Sequence, residues 1–329
     1  MFQYLGFNVI SINFMLIKKF KMKRYLILVL VLFFSVSYGQ EKTFTEDELS
    51  VTKWIDGTLL TPNAYEKPSL AIIIAGSGPT NRNGNQNFLK NNSLKKLAEG
   101  LTINGIATFR YDKRIVKQIR QGKVDNDIMF DDFVSDASDV IDYFIEKKTY
   151  SYIYIIGHSQ GSLVGMLAAK DKADGFISLA GAGNNIGDVL VEQVAQMAPK
   201  LGEETQRIVD LLKEGKTTTD YPSVLASLFG PDLQDFMINW MKYNPTEIVK
   251  SLKMPILIIN GTKDLQVSEN EAQLLKEAND KATLTIIENM NHVLFEIKGD
   301  DLENSKSYNE SFRQISPQLI ISITGFIKS

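Results

Sequence analysis

The residues best suited to chemistry are few. The sequence holds two histidines, His158 and His292, and no cysteine. One histidine stands beside a serine in Gly157-His158-Ser159-Gln160-Gly161. The spacing Gly-x-Ser-x-Gly, after an apolar run and before a helix-like run, predicts a sharp strand-to-helix turn that lifts the serine hydroxyl clear of the backbone. A hydroxyl is a weak nucleophile until a base takes its proton. His158 is a poor base for Ser159, because neighbouring side chains diverge on so tight a turn. It is expected to be a packed or hydrogen-bonded neighbour. By elimination the base is His292, in "ENMNHVLFE". Asp264, in "PILIINGTKD", is the expected acid that orients the imidazole, with Glu288 the weaker rival. The oxyanion hole needs two backbone N–H groups. One should be that of Gln160. The other is assigned to Ser77 in "AGSGPTNRNGN", where Gly76 and Gly78 permit close approach. Thr80, Asn81, Arg82 and Asn83 of that loop can either stiffen the turn or touch a substrate.

These groups need a frame. "SLAIIIAGSG", "IATFRYDKR", "YIYII", "GFISLAGAG", "PILIINGTKD" and "ATLTIIENMNH" read as buried strands. Between and after them, residues 92–105, 131–148, 268–280 and the C-terminal "SPQLIISITGFIKS" read as helices, as does a run from about Ser162. Strands alternating with helices predict a doubly wound, mostly parallel sheet. "WIDGTLLTP" (54–62) reads as an early antiparallel strand pair. Residues 185 to about 250 break the rhythm. They are helix-prone, without strand signals, and predict a helical lid. Its apolar members Leu228, Phe229, Phe236, Met237, Trp240 and Met241 are expected mainly to pack the lid down, with one or two facing a substrate.

The N-terminus reads as a targeting segment. Lys18, Lys19, Lys21, Lys23 and Arg24 precede the apolar stretch Tyr25–Val36, and Gly39 follows. The pattern predicts a bacterial signal peptide over residues 1–39, cleaved before Gln40, with Met22 a plausible start. The alternative is an uncleaved anchor. With cleavage, residues 40–329 form the working domain, secreted or periplasmic, without stable membrane association. The net charge of −3 and the lack of a long basic block speak against nucleic acid. Without cysteine, disulfides, thiolate catalysis and Cys-ligated zinc are excluded. With two histidines, one already committed, no metal site is implied, and no phosphate-cradling loop or other cofactor site appears. Oligomeric state is not readable.

In order, "GHSQG", "NGTKD" and "NMNH" resemble the α/β-hydrolase superfamily over roughly residues 50–329. The "GSGPTNRNGN" loop with "RYDKR" (110–114) is similar to a bacterial esterase branch grouped with dienelactone hydrolases, acyl thioester hydrolases and prolyl-oligopeptidase-like domains. The resemblance implies nucleophile Ser159, base His292, acid Asp264, and oxyanion donors Ser77 and Gln160. It implies a carboxylic-ester hydrolase for small or medium acyl esters working through an acyl-enzyme. A thioesterase or acyltransferase, a peptidase, and a non-catalytic binding protein are the alternatives. The branch often follows "RYDKR" with a glycine-rich turn. Here "IVKQIRQGK" follows, so a longer or differently shaped loop is expected beside the pocket.

Overall fold

The computed structural model describes residues 43–125 and 127–329. The expected signal peptide therefore lies outside the described residues. Eight strands form one sheet: β1 (Phe44–Ser50), β2 (Asp56–Pro62), β3 (Leu70–Ile74), β4 (Ala107–Tyr111), β5 (Ile153–His158), β6 (Gly175–Leu179), β7 (Ile256–Gly261) and β8 (Thr283–Ile287). Their spatial order is β1-β2-β4-β3-β5-β6-β7-β8. The pairs from β4 through β8 are all parallel, while β2 joins both β1 and β4 antiparallel.

The apolar runs form strands because both sheet faces are covered. Along β3, Leu70, Ile72 and Ile74 enter one core and Ala71 and Ile73 the other. This is the alternation a pleated strand imposes. The first core lies under α3 (Phe130–Lys147), α4 (Gln160–Ala169) and the helices between β6 and β7. The second lies under α1 (Ser93–Ile103) and α12 (Pro317–Lys328). Fully burying one such isoleucine stabilises the fold by about 1.5–3 kcal/mol.

One local reading is corrected. Residues 54–62 are not a hairpin. They supply one strand, β2, which pairs with the charged segment Phe44–Ser50 on one side and with β4 on the other. Of the two expectations for "IVKQIRQGK", a longer or a differently shaped segment, the second is what the structure has. Arg114–Gln121 forms a helix, α2, which Gly122 ends at φ 66°. Val116 and Gln118 are its buried residues.

The remaining helices are α5 (Ile186–Met197), α6 (Gly202–Lys213), the single turn α7 (Ala226–Phe229), α8 (Pro231–Met241), α9 (Pro245–Ser251), α10 (Glu269–Ala278) and α11 (Asp301–Ser307). Helices α5 to α9 occupy the stretch between β6 and β7. Phe130 of α3 stacks on Trp240 of α8 with centroids 5.5 Å apart, and Phe236 meets Phe133 at 5.7 Å. Glu271 of α10 holds the entry to this stretch, accepting from the N–H groups of Gly183 and Asn184 at 2.7 and 2.8 Å and from the Asn184 side chain at 2.8 Å.

Candidate active site

Ser159 caps the start of α4 with φ 54° and ψ −122°, a strained conformation for a residue with a side chain. Its neighbours leave little choice. A Cβ on Gly157 would lie 2.2 Å from the Gly161 carbonyl oxygen. One on Gly161 would lie 2.4 Å from that of Ile74. The two glycines of the motif thus let strand, turn and helix press together. The Ser159 N–H donates to Leu179 O at 2.9 Å, tying the turn to β6.

Asp264 lies three residues beyond β7, in a turn. Its Oδ1 accepts the Gln266 and Val267 N–H groups at 2.8 and 2.9 Å. Its Oδ2 lies 2.8 Å from His292 Nδ1. Both side chains are buried, 1 % and 5 % exposed. An ionised carboxylate only accepts, so Nδ1 carries the proton and Nε2 is left to act as a base. Ser159 and His292 line one small cavity. Glu288, the rival acid, makes no such contact with His292.

His292 is fixed from behind. Asn291 donates to Asn304 Oδ1 and to Ser307 Oγ on α11, each at 2.8 Å, and accepts from Phe295 N–H at 2.9 Å. His158 Nε2–H donates to the His292 carbonyl at 2.8 Å. Burial, and then the nearby His292, draw the His158 pKa down to about 4, so this ring is neutral at physiological pH. The expected role of His158 as a hydrogen-bonded neighbour is where the geometry puts it.

The loop from Ser77 to Asn85 is stiffened by its own side chains. Thr80 Oγ1 donates to Ser77 O at 2.6 Å, and Asn81 Oδ1 accepts from Asn83 and Asn85 N–H at 2.9 and 3.1 Å. Arg82 pairs with Asp112 at 2.9 Å and with Glu48. Asn83 Oδ1 accepts from Arg110 Nε at 3.1 Å. All four residues whose role was open make hydrogen bonds within the loop or to its neighbours, and Thr80 also borders the small cavity. Ser77 and Gln160 both line a second, larger cavity beside Ser159.

Lys113 carries no local sequence signal. In "RYDKR" it resembles a surface cation, yet it is 4 % exposed. Its Nζ donates to Gly76 O at 2.9 Å and to Gln160 Oε1 at 3.0 Å, and lies 4.5 Å above the Phe133 ring. Its neighbours Asp112 and Asp136 are engaged by Arg82 and Arg120, and by Arg114. Among the described residues no carboxylate pairs with Lys113. Burial draws its pKa down to about 7. It ties the residue before Ser77 to the residue after Ser159, the two stretches expected to supply the oxyanion donors.

The larger cavity has a volume of about 600 Å³. Leu228, Phe236, Met237 and Trp240 line it, more of the expected lid residues than the one or two foreseen, while Phe229 and Met241 pack inward.

Sheet order, strained serine turn and an Asp–His pair beyond the strands' carboxyl ends are the arrangement of the α/β-hydrolase fold. Known proteins agree. Residues 91–230 match the family described as Serine aminopeptidase, S33, a stretch that holds Ser159 but ends before Asp264 and His292. The esterase EstD of Thermotoga maritima is 27% identical over 273 residues, covering 80% of this chain and 63% of EstD. The chain thus spans less than two thirds of that relative. Among solved structures, Est1E from Butyrivibrio proteoclasticus superposes with TM-score 0.54 at 17% identity, over 86% of this chain and 99% of Est1E. The Pyrococcus furiosus esterase PF2001 does so with TM-score 0.51 at 14% identity, over 87% and 90%. At such identities the likeness concerns the fold.

Proposed function

We propose that this protein is a serine carboxylic-ester hydrolase working through Ser159, His292 and Asp264. Ser159 Oγ attacks the acyl carbonyl while His292 Nε2 takes its proton. Charge grows on the carbonyl oxygen, against the N–H groups of Ser77 and Gln160. His292 then gives the proton to the leaving alcohol. Water enters, loses a proton to His292, and releases the acid from the acyl-enzyme. Asp264 holds the imidazole in the required tautomer and offsets its charge. The N-terminal sequence supports action outside the cytoplasm.

The carrying observation is the buried Asp264–His292 pair, 2.8 Å apart, beside a serine held at φ 54°. The esterase named among the relatives supports an ester as substrate. A fluorophosphonate probe should label the native protein and not Ser159→Ala. Asp264→Asn should lower kcat on the order of 10⁴-fold. Labelling that survives Ser159→Ala would remove the nucleophile assignment. The serine aminopeptidase match favours one second reading, a peptidase. Faster cleavage of aminoacyl anilides than of matched esters would select it.

A further inference from the structure

Ser159 stands between two cavities of different size and lining. Ile115, Leu163, Leu190, Phe236 and Trp240 give the cavity of about 600 Å³ an apolar wall. The other, about 90 Å³, has a more mixed wall, where Gln86, Asn91, Ser93, Gln266 and Tyr308 stand among apolar surface. Ser159 and Ser77 border both. Gln160 borders only the large one of this pair, and His292 only the small one.

This division assigns the two halves of an ester. The base that takes the serine proton returns it to the departing oxygen, so the alcohol must leave on the side of His292. The acyl group then lies across Ser159, in the apolar cavity. Volumes sharpen the assignment. Water fills about 30 Å³ per molecule in the liquid. By that measure the small cavity holds on the order of three waters, room for an alcohol of only a few non-hydrogen atoms. The large one falls within the range of about 300–1,000 Å³ that buries sizeable ligands. One observation is independent of volume. The Tyr308 hydroxyl, on the wall of the small cavity, is buried beside the Gln266 side chain, yet makes no hydrogen bond of good geometry. Buried hydroxyls seldom go unpaired, and a polar ligand group supplies what this one lacks.

We propose that the substrate joins a medium or long apolar acyl group to a small alcohol bearing a second hydrogen-bonding group, which Tyr308 meets. The inference rests on the ester-hydrolase reading above. Its test uses the full-length protein and three octanoate and acetate esters. Octanoate esters of ethylene glycol and of n-propanol differ only in a terminal hydroxyl against a methyl. The glycol ester should show kcat/KM about ten-fold higher, since a site built for a hydroxyl rejects the analogue lacking it. Tyr308→Phe should bring the two values to within about two-fold of each other. Leu190→Trp should cut the preference for glycol octanoate over glycol acetate about ten-fold.

Equal or better cleavage of the n-propyl ester would overturn the proposal. So would a hydroxyl preference that survives Tyr308→Phe, or a Leu190→Trp variant altered in alcohol rather than acyl preference. In each of those cases Ser159 still takes the fluorophosphonate label, and only the substrate inference falls. If native Ser159 takes no label and no ester turns over, the hydrolase reading falls and this inference with it.

Discussion

Replacing Lys113 with methionine separates two effects that usually run together. The stem length is kept, so contact with Phe133 survives. Lost are the hydrogen bonds to Gly76 O at 2.9 Å and Gln160 Oε1 at 3.0 Å. Burial lowers the pKa of this lysine from 10.5 to about 7. Holding the ammonium buried at a pKa of about 7 rather than 10.5 costs about 5 kcal/mol at most. Because the folded pKa lies below the unfolded one, the unfolded chain binds more protons between pH 7 and 10.5, and stability rises with pH across that window. Full stability is present above 10.5 and is lost as pH falls through 7. Methionine removes this dependence but leaves two acceptors without their donor, at about 1–3 kcal/mol each. At pH 6 the two effects nearly cancel, so Lys113→Met should match the parent within about 2 kcal/mol. By pH 9 the parent should have gained about 3 kcal/mol on the variant, two units at ~1.4 kcal/mol each. Urea unfolding of both proteins at pH 6, 7, 8 and 9 reads the difference directly, since other titrating groups are common to both. Turnover should nevertheless fall about ten-fold in kcat with little change in KM, because loosening an oxyanion arm weakens transition-state contacts more than ground-state ones. A stability gap that stays constant from pH 6 to 9 would refute the account of the buried amine. An unchanged kcat would refute its bracing role.

Three further outcomes follow from the same geometry. His158→Ala should keep measurable turnover while His292→Ala does not, and His158→Gln, which can still donate to the His292 carbonyl, should resist acid better. The folded His158 pKa of about 4 against an ordinary 6.5 means that stability is whole above 6.5 and is lost as pH falls toward 4, about 2 kcal/mol of it by pH 5; equal acid unfolding of parent and His158→Gln would contradict this. Gly157→Ala sets a methyl 2.2 Å from a backbone oxygen and should cost about 3 kcal/mol or more, read as a lowered Tm or loss of soluble protein. Glu271→Ala strands three donors at the entry to the helices between β6 and β7, and should destabilise by about 2–4 kcal/mol in urea titration, where a change below about 0.5 kcal/mol would show the contact to be idle.

Strands β3 to β8 were legible because a parallel strand covered on both faces must be apolar nearly throughout, and "LAIII" or "ILIING" has few other uses. The serine turn was legible for a related reason, since its glycines sit at fixed distances from the serine they serve. What escaped was set by contacts distant in sequence. The strand Phe44–Ser50 reads "FTEDELS" and lies mostly exposed at the sheet edge. Charge there guards an open edge but erases the apolar alternation that marks a strand. Lys113 looks solvated beside Arg110, Asp112 and Arg114. Its contacts are with Gly76, with Phe133 on α3 and with Gln160 on α4, 37, 20 and 47 positions away. Tyr308 follows the charged helix α11, whose link to His292 runs through Asn291. No local pattern signals such contacts.

The same distant contacts explain how the strain at Ser159 persists. A left-handed serine costs of order 1–3 kcal/mol and relaxes unless its surroundings forbid it. Here relaxation is blocked on three sides. Gly161 lies so near Ile74 and Ala75 that not even a Cβ fits. Gly76, in the loop before Ser77, approaches Ser159, its own missing Cβ only 3.2 Å from that of the serine. Lys113 joins Gly76 to Gln160 across the gap. The Ser159 turn and the Ser77 loop are therefore one mechanical unit, and a change to either should move both. That ties the two perturbations together. If Lys113→Met frees the unit, it should slow fluorophosphonate labelling of Ser159 and ester turnover by the same factor. A variant that labels at the parent rate but turns over esters slowly would show the two loops to be independent.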